Sequence, residues 1–264
     1  MRLFYRSWEI DRPSAACILV HGLGEHGGRY TRLAEALTRT GYSVWIADHR
    51  GHGRSIGQRG DCVSTEILIE DLHLLVELVA NQHPALARVM IGHSLGGLLA
   101  IAYAAQHPEQ LRAVAVSSPA LGIGIPLPLW KPTLVRALAR ILPRTPVPNG
   151  VDPSWVSRDP AVVSGYRNDP LVHRVVSARC AVALERSILD SPAQASRLKT
   201  PCLILQAGED KICDAQASQR FALSVQQAPV TFRRYDGLYH ELFNEPEKDR
   251  VIEDLLQWLR ETLR

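Results

Sequence analysis

The stretch "MIGHSLGGLLAIAYAAQ", residues 90–106, places one serine between glycines where an apolar run changes character. Residues 89–91 form a short apolar run of the kind found in a strand that is buried on both faces. Residues 95–106 are rich in leucine, glycine and alanine, which suits a closely packed helix. A strand, a strained turn and a helix make a nucleophile elbow, in which small neighbours let the backbones pass closely. The stretch therefore predicts that Ser94 is a nucleophile; the alternative is a small residue at a tight corner.

The length and composition of the chain are those of an ordinary globular protein. Its 264 residues are 46% hydrophobic and carry a formal net charge of +3. No basic stripe with interleaved aromatic residues is present, so we expect no nucleic-acid partner. The five cysteines form no CxxC pair, which predicts free thiols in a reducing compartment rather than a disulfide framework. Because the sequence shows neither a signal peptide nor a long apolar run, we expect a cytoplasmic protein.

Strand signals alternate with helix signals along most of the chain. Strands are predicted at residues 3–8, 17–20, 43–47, 89–91, 113–116, 202–206 and 231–235. Helices are predicted at residues 29–38, 66–81, 95–106, 216–226 and 247–262. This alternation is typical of the α/β class, in which a mostly parallel sheet, here of about seven strands, carries helices on both faces.

The segment of residues 119–196 breaks this alternation. It contains ten prolines between positions 126 and 192, and strand signals are absent. Two helices are predicted within it, at residues 133–142 and 171–189. Because the segment leaves one strand and returns to another, we expect it to lie over the edge of the sheet where ligands bind. The predicted organisation is a core of residues 1–118 and 197–264 with residues 119–196 inserted as a helical cap.

Two further residues follow predicted strands and are candidate partners for Ser94. Asp210 lies directly beyond one strand and His240 directly beyond the next, 30 residues later. Right-handed crossovers bring the ends of parallel strands to one edge of the sheet, so the three side chains are expected to meet there. The order Ser, Asp, His is the one expected for this architecture. The acids that compete with Asp210 are Glu209, Asp214 and Asp236, and nine other histidines compete with His240.

The glycine-rich turn "HGLGEHGGRY", residues 21–30, supplies exposed backbone N–H groups after another strand. In a nucleophile-elbow architecture, one oxyanion donor is the N–H of the residue after the nucleophile, here Leu95. The second donor comes from the early turn, where Leu23 is the best candidate. We expect neither a metal nor a cofactor, because no histidine pair has zincin spacing, the cysteines are scattered and the GxGxxG pattern is missing.

Seven motifs together resemble the α/β-hydrolase superfamily, and within it the monoacylglycerol lipase and lysophospholipase family, especially its bacterial members. They cover nearly the whole chain: HGLGEHGGRY, DHRGHGRS, GHSLGG, SSPAL, YRNDPL, GEDKICD and YHELFNEPE. The resemblance implies a triad of Ser94, Asp210 and His240 and an oxyanion hole formed by Leu23 and Leu95. It also implies that Glu25, Arg29 and Tyr166 contact the glycerol hydroxyls and that Cys213 lies near the mouth of the site. The alternatives are that Glu25 only pairs with an arginine of its loop and that Cys213 is a buried, inert thiol.

The implied activity is ester hydrolysis of a monoacylglycerol or a similar single-chain lipid, with no cofactor. Lysophospholipase, thioesterase and small-ester esterase activities use the same chemistry and stay open, and a non-catalytic binding protein on this fold is the remote alternative. The sequence departs from the family in two places. Phe243 stands where family members often carry a polar residue, and the chain begins at what would be their second strand. The second departure predicts seven strands, with residues 3–8 at an edge. In that strand, polar side chains fall on both faces, as edge strands tolerate.

The predicted cap helix at residues 133–142 has an apolar face and a basic face. Leu134, Leu138, Ile141 and Leu142 fall on the first face, and arginines recur every four residues on the second, at positions 136, 140 and 144. Residues 131–148 contain four basic residues and no acid. An apolar face flanked by positive charge predicts a lid that rests on an anionic lipid surface. The alternative is a helix whose apolar face packs permanently onto the cap.

Overall fold

The computed structural model describes residues 2–125 and 130–264, with the side chains of residues 130 and 131 excepted. Two prolines of the proline-rich segment, Pro126 and Pro128, therefore lie outside the described residues. The side chain of Lys131, one of the four basic residues in 131–148, is not described either.

The core of the protein is a sheet that contains seven strands within the described residues, as the sequence predicts. In chain order the strands are β1 (Tyr5–Trp8), β2 (Ala15–Val20), β3 (Tyr42–Ala47), β4 (Arg88–His93), β5 (Ala113–Ser117), β8 (Cys202–Ala207) and β9 (Val230–Tyr235). Their spatial order is β1-β3-β2-β4-β5-β8-β9. β1 pairs antiparallel with β3 at one edge, and the other neighbours are parallel. The predicted edge position of residues 3–8 is confirmed.

Helices cover both faces of the sheet because successive strand residues point to opposite sides. In β2, for example, Ile18 packs into one hydrophobic cluster and Leu19 into the other. The first cluster includes residues of α2 (Thr65–Gln82), α3 (Leu95–Gln106), α7 (Ser191–Arg197) and α8 (Ala215–Ser224). The second includes residues of α1 (Thr31–Arg39) and α9 (Lys248–Thr262). This is the layer arrangement that the alternation of signals predicts.

The chain between β5 and β8 holds α4 (Trp130–Ile141), β6 (Pro146–Pro148), α5 (Pro160–Asn168), β7 (Val175–Ser177) and α6 (Ala178–Leu189), followed by α7. The predicted helix at residues 171–189 is wrong in its first part, because residues 175–177 form β7, which pairs with β6. Two β-branched valines favour the strand, and Ser177 caps α6 by accepting a hydrogen bond from Cys180 N. The expectation that this segment lacks strands is therefore also wrong.

Candidate active site

The backbone at Ser94 has the conformation of a strained turn. Its φ of 54° and ψ of −118° place a non-glycine residue in a sparsely populated region between β4 and α3. Glycines on both sides make the turn possible: a Cβ atom at Gly92 would lie 2.2 Å from the carbonyl oxygen of Gly96. A Cβ atom at Gly96 would lie 2.1 Å from the carbonyl oxygen of Val20. The close passage of three backbone segments therefore explains the Gly-x-Ser-x-Gly pattern.

Asp210 and His240 meet at the carboxyl ends of β8 and β9. His240 Nδ1 lies 2.8 Å from Asp210 Oδ2. The other oxygen, Oδ1, accepts hydrogen bonds from the backbone N–H groups of Ile212 and Cys213, each at 2.9 Å. These contacts hold the carboxylate against Nδ1 of the imidazole. The other ring nitrogen of His240, Nε2, is not the one that faces Asp210.

Two of the three competing acids, Asp214 and Asp236, have other partners. Asp214 caps α8 by accepting a hydrogen bond from Gln216 N and pairs with Arg220. Asp236 pairs with Arg234 on the surface. Among the candidates in the described chain, the acid that contacts His240 is Asp210.

The environment of His240 and Asp210 stabilises their charged forms. Burial by itself lowers the pKa of His240, but the facing carboxylate outweighs it and the net pKa is raised above the usual value. Burial raises the pKa of Asp210, whereas the imidazole and the two backbone N–H groups lower it further than burial raises it. A general base must be neutral to accept a proton, so the raised pKa of His240 moves the acid limb of any activity that uses this base to higher pH.

Ser94 Oγ lies beside Cys213 in this structure, with Oγ 3.9 Å from Cys213 Sγ. The thiol is buried and lines the same cavity as Ser94, whereas the family resemblance implies a position near the mouth. Burial raises the pKa of Cys213 well above its usual range, and the nearby charge of Asp210 raises it further. The thiol is therefore protonated at neutral pH and is a weak competitor for Ser94 as nucleophile.

His93 packs beneath the elbow, as expected from its position before Ser94. Its Nδ1 lies 3.1 Å from the carbonyl oxygen of Ser117, and its ring lies 4.6 Å from the ring of His240. Burial, and then the nearby His240, lower the pKa of His93 to about 4. The ring is neutral under ordinary conditions and supports the turn by packing and one hydrogen bond.

The backbone N–H groups of Leu23 and Leu95 are candidates for an oxyanion hole. Both residues line the cavity next to Ser94. Neither N–H donates a hydrogen bond to any residue in the described part of the chain. The turn that carries Leu23 is fixed by Glu25, whose Oε1 accepts a hydrogen bond of 2.7 Å from Gly22 N. Two donors without acceptors beside a hydroxyl are suited to stabilise a developing negative charge.

A buried ionic network lies at the polar end of the cavity. Arg29 Nη1 is 2.7 Å from Glu25 Oε2, and the guanidinium also forms a bidentate pair with Glu241 at 2.6 and 2.7 Å. Tyr30 donates a hydrogen bond to Glu25, and the ring of Tyr166 lies 4.8 Å from the guanidinium carbon. Burial opposes ionisation, but Arg29 and the other partners lower the pKa of Glu25 to about 2. Two carboxylates therefore share one guanidinium.

Of the three predicted substrate-binding residues, Glu25 and Tyr166 line the cavity beside Ser94. Arg29 lies behind them and lines a smaller adjacent cavity. The pairing of Glu25 with Arg29 is the arrangement that a purely structural role would also produce. Sequence reasoning missed Glu241, although an acidic residue directly after His240 was a visible signal.

The cavity has a volume of about 230 Å³ and is predominantly apolar. Its polar end is formed by Ser94, His240, Glu25 and Glu241. Its apolar walls come from the core and from the segment between β5 and β8, and include Leu98, Ile125, Val135, Val147, Val151, Val176, Ala181, Leu184 and Ile188. A linear hydrocarbon chain matches the chemistry of these walls.

Asp210, Cys213 and His240 are close enough to be considered as metal ligands, with ligand atoms within 4.8 Å of one another. Their hydrogen bonds give the cluster another explanation. Asp210 Oδ2 and His240 Nδ1 face each other, and Oδ1 is occupied by two backbone N–H groups. The carboxylate oxygens of Asp210 and Nδ1 of His240 are therefore already paired.

Comparison with known proteins identifies the family. The family model described as "Serine aminopeptidase, S33" matches residues 11–247. The monoacylglycerol lipase of Mycolicibacterium smegmatis is 36% identical, over 98% of this chain and 93% of that protein. Phospholipase YtpA of Bacillus subtilis is 32% identical, over 93% of this chain and 95% of that protein. The crystal structure of Paleococcus ferrophilus monoacylglycerol lipase superposes with a TM-score of 0.92 at 33% identity, covering 99% of this chain and 100% of that one. The chain thus belongs to the S33 family of α/β-hydrolases, and it is similar to monoacylglycerol lipases along nearly its whole length.

Proposed function

We propose that this protein hydrolyses the ester bond of monoacylglycerols or similar single-chain lipids through an acyl-enzyme on Ser94. The observation that carries the proposal is the position of Ser94 at the polar end of an apolar cavity. The acyl chain would fill the apolar part and bring its carbonyl carbon beside the Ser94 hydroxyl. The names of the relatives from Mycolicibacterium smegmatis and Paleococcus ferrophilus, both monoacylglycerol lipases, support this substrate class.

In the proposed reaction, the Ser94 hydroxyl turns from Cys213 toward His240 Nε2 when an ester is bound. His240 accepts the proton as Oγ attacks the carbonyl carbon, and Asp210 orients the imidazole and stabilises its positive form. The N–H groups of Leu23 and Leu95 hold the oxyanion. His240 then protonates the leaving alcohol, and water hydrolyses the acyl-enzyme with His240 again as base. Apart from the ester and the attacking water, the groups that take part in these steps are the three side chains and the two backbone N–H groups.

The polar end of the cavity is the proposed site for the glycerol hydroxyls, with Glu25, Arg29 and Tyr166 around it. Glu241 joins this set because it lines the cavity and holds Arg29 in place. Two carboxylates and one guanidinium give this end an excess of negative charge. A neutral glycerol group is therefore preferred over a head group that carries a phosphate.

A substrate panel tests this proposal. We expect kcat/KM for a monoacylglycerol to exceed those for lysophosphatidylcholine and acyl-CoA of the same chain length by at least about tenfold, because both competitors bring phosphate to an acidic site. An aminoacyl anilide is included because the matching family model is described as a serine aminopeptidase. We expect no turnover of this substrate. A higher kcat/KM for either phosphate-bearing substrate would favour the lysophospholipase or thioesterase alternative.

We propose that residues 119–196 form the cap over a core of residues 1–118 and 197–264, and that α4 lets this cap contact lipid surfaces. α4 lines the cavity with Val135, while Leu134 and Ile141 of this helix are 56% and 77% exposed, and Leu142, which directly follows the helix, is 58% exposed. No helix in the described residues is both long and apolar enough to cross a membrane. A lipid contact through α4 would therefore be peripheral.

The basic face of α4 is less available than the sequence suggests. Arg136 pairs with Glu185 of α6 at 2.6 Å, and Arg144 lies 3.6 Å from Asp61. Neither acid is near in sequence, so their neutralising effect appears only in the folded chain. The exposed apolar side chains are therefore expected to contribute more to lipid binding than the arginines do.

Vesicle binding tests this contact. We expect the double variant Leu134→Ser/Ile141→Ser to bind phosphatidylglycerol and phosphatidylcholine vesicles at least about tenfold more weakly than the unmodified protein, because two exposed apolar side chains are lost. Arg140→Glu is expected to weaken binding to the anionic vesicles alone. Leu223→Ser removes a leucine that is 80% exposed on α8 of the core, and serves as the matched control. Equal binding by the double variant and the control would leave α4 as ordinary cap structure.

A further inference from the structure

Two cysteines from distant parts of the chain lie in direct contact where the cap joins the core. Cys62 belongs to the core loop that precedes α2, and Cys180 is the third residue of α6. Their sulfur atoms are 2.8 Å apart although the residues are separated by 118 positions. Both side chains are buried. Among the cysteines of the described residues, Cys62 and Cys180 are the pair whose sulfur atoms are in contact.

The residues next to each cysteine hold the two backbones together. Asp61 accepts a hydrogen bond of 2.8 Å from Arg179 Nε and one of 2.7 Å from the hydroxyl of Ser177. Ser177 N donates a backbone hydrogen bond of 2.9 Å to the carbonyl oxygen of Gly60. The chain is thus fixed to the core one residue before each cysteine, and again at the end of β7. The contact between the sulfur atoms is set by these neighbours.

We propose that Cys62 and Cys180 form an oxidisable dithiol whose disulfide links the cap to the core. A disulfide bond is about 2.05 Å long, so the sulfur atoms need to approach by only about 0.8 Å. The oxidant is a peroxide. One thiol is oxidised to a sulfenic acid as hydrogen peroxide is reduced and water leaves; the second thiol then attacks that sulfur and releases a second water. Two thiols and one peroxide give one disulfide and two waters.

The surroundings of the pair suit a reversible link. The hydrogen bond with Cys62, and then burial, raise the pKa of Cys180 well above its usual range. The Cys180 thiol is therefore protonated at neutral pH, and its own reaction with peroxide is slow unless peroxide is abundant. A link at this point would also act on the cavity, because Ala181, Leu184 and Ile188 of the same helix form part of its wall. The disulfide would close a loop of more than a hundred residues, which restricts the unfolded chain strongly.

Mass spectrometry of the intact, folded protein tests the proposal. After treatment with hydrogen peroxide at mildly alkaline pH, we expect a disulfide-linked peptide that joins Cys62 to Cys180 and disappears on reduction with dithiothreitol. The oxidised protein is expected to melt about 5 °C or more above the reduced protein, because the link constrains the unfolded state. Cys62→Ser and Cys180→Ser should each remove both effects.

Cys202→Ser is the matched control, since Cys202 is a fully buried thiol in β8. This variant should form the linked peptide and show the same rise in Tm as the unmodified protein. The linked peptide is sought in the unmodified protein, so the test does not depend on whether any variant folds. Absence of the Cys62–Cys180 peptide under conditions that oxidise other residues of the folded protein would overturn the proposal. An equal rise in Tm for oxidised Cys62→Ser would do so as well.

Discussion

Replacing Ser94 by alanine is expected to lower the hydrolysis of monoacylglycerol by about 10,000-fold or more, because the covalent route is lost. The oxyanion donors and the apolar cavity stay in place, so binding of a non-hydrolysable ester analogue should change little. The backbone strain at Ser94 is not relieved by alanine, which also carries a Cβ atom, and the melting temperature should therefore stay close to that of the unmodified protein. The measurement is kcat/KM together with a thermal melt.

Ser117→Ala provides the matched control for this substitution. Ser117 is fully buried at the end of the neighbouring strand, and its hydroxyl has no hydrogen-bond partner among the described residues. Its contacts with Ser94 N and His93 are made through the carbonyl oxygen, which alanine retains. Activity should stay within about threefold of the unmodified protein. Residual activity of Ser94→Ala within tenfold of the control would exclude Ser94 as the nucleophile.

The core of the fold was predictable because its signals are local. The strands of the sheet and the elbow at Ser94 follow from apolar runs and glycine spacing that are visible in the sequence. The edge position of β1 follows from the family resemblance and from the polar side chains on both of its faces, whereas its antiparallel direction was not predicted. The strand β7 was missed because it has only three residues between longer helical patterns. The helix α5 was also missed, although its start is recognisable. Asp159 caps the helix with its side chain, and Pro160 stands at the first helical position.

The charge arrangement was less predictable because it depends on contacts between distant residues. Arg29 and Glu241 are separated by 212 positions, and Arg136 and Glu185 by 49. Neither pair has a spacing that sequence analysis could recognise. The same holds for Cys62 and Cys180, which composition alone describes only as free thiols. Sequence periodicity predicts which faces are buried, but the pairing of these charges and thiols depends on contacts between residues that are far apart in the chain and meet only in the folded protein.

Replacing Asp210 by asparagine is expected to lower kcat/KM by about 10,000-fold, because the amide favours the wrong tautomer of His240 and removes the charge that stabilises the imidazolium. The hydrogen bonds from Ile212 and Cys213 to Oδ1 can be kept by the amide oxygen, so the loop should stay folded. The pH profile gives a second readout. In the unmodified protein the acid limb of kcat/KM should have its midpoint above about 6.5, the ordinary histidine pKa, because the carboxylate raises the pKa of His240.

The neutral form of His240 is the one that can accept a proton from Ser94. In the proposed mechanism, activity requires neutral His240 and therefore falls as pH decreases through the raised pKa of this residue. The ion pair with Asp210 has the opposite pH dependence: it stabilises the folded protein while His240 is charged, and that contribution is lost as pH rises through the same pKa. In Asp210→Asn the residual activity should show its acid limb shifted to lower pH, because burial then lowers the pKa of His240 without a facing charge.

Asp214→Asn is the matched control, since Asp214 lies four residues further on, caps α8 and pairs with Arg220. Its effect should be confined to a small loss of stability, because the amide oxygen can still cap the helix. Activity and the acid limb of the pH profile should match those of the unmodified protein. If Asp214→Asn proved more damaging to kcat/KM than Asp210→Asn, the proposed acid would be wrong. An acid limb unchanged in Asp210→Asn would mean that another group controls the titration, and His240 would lose its role as the base.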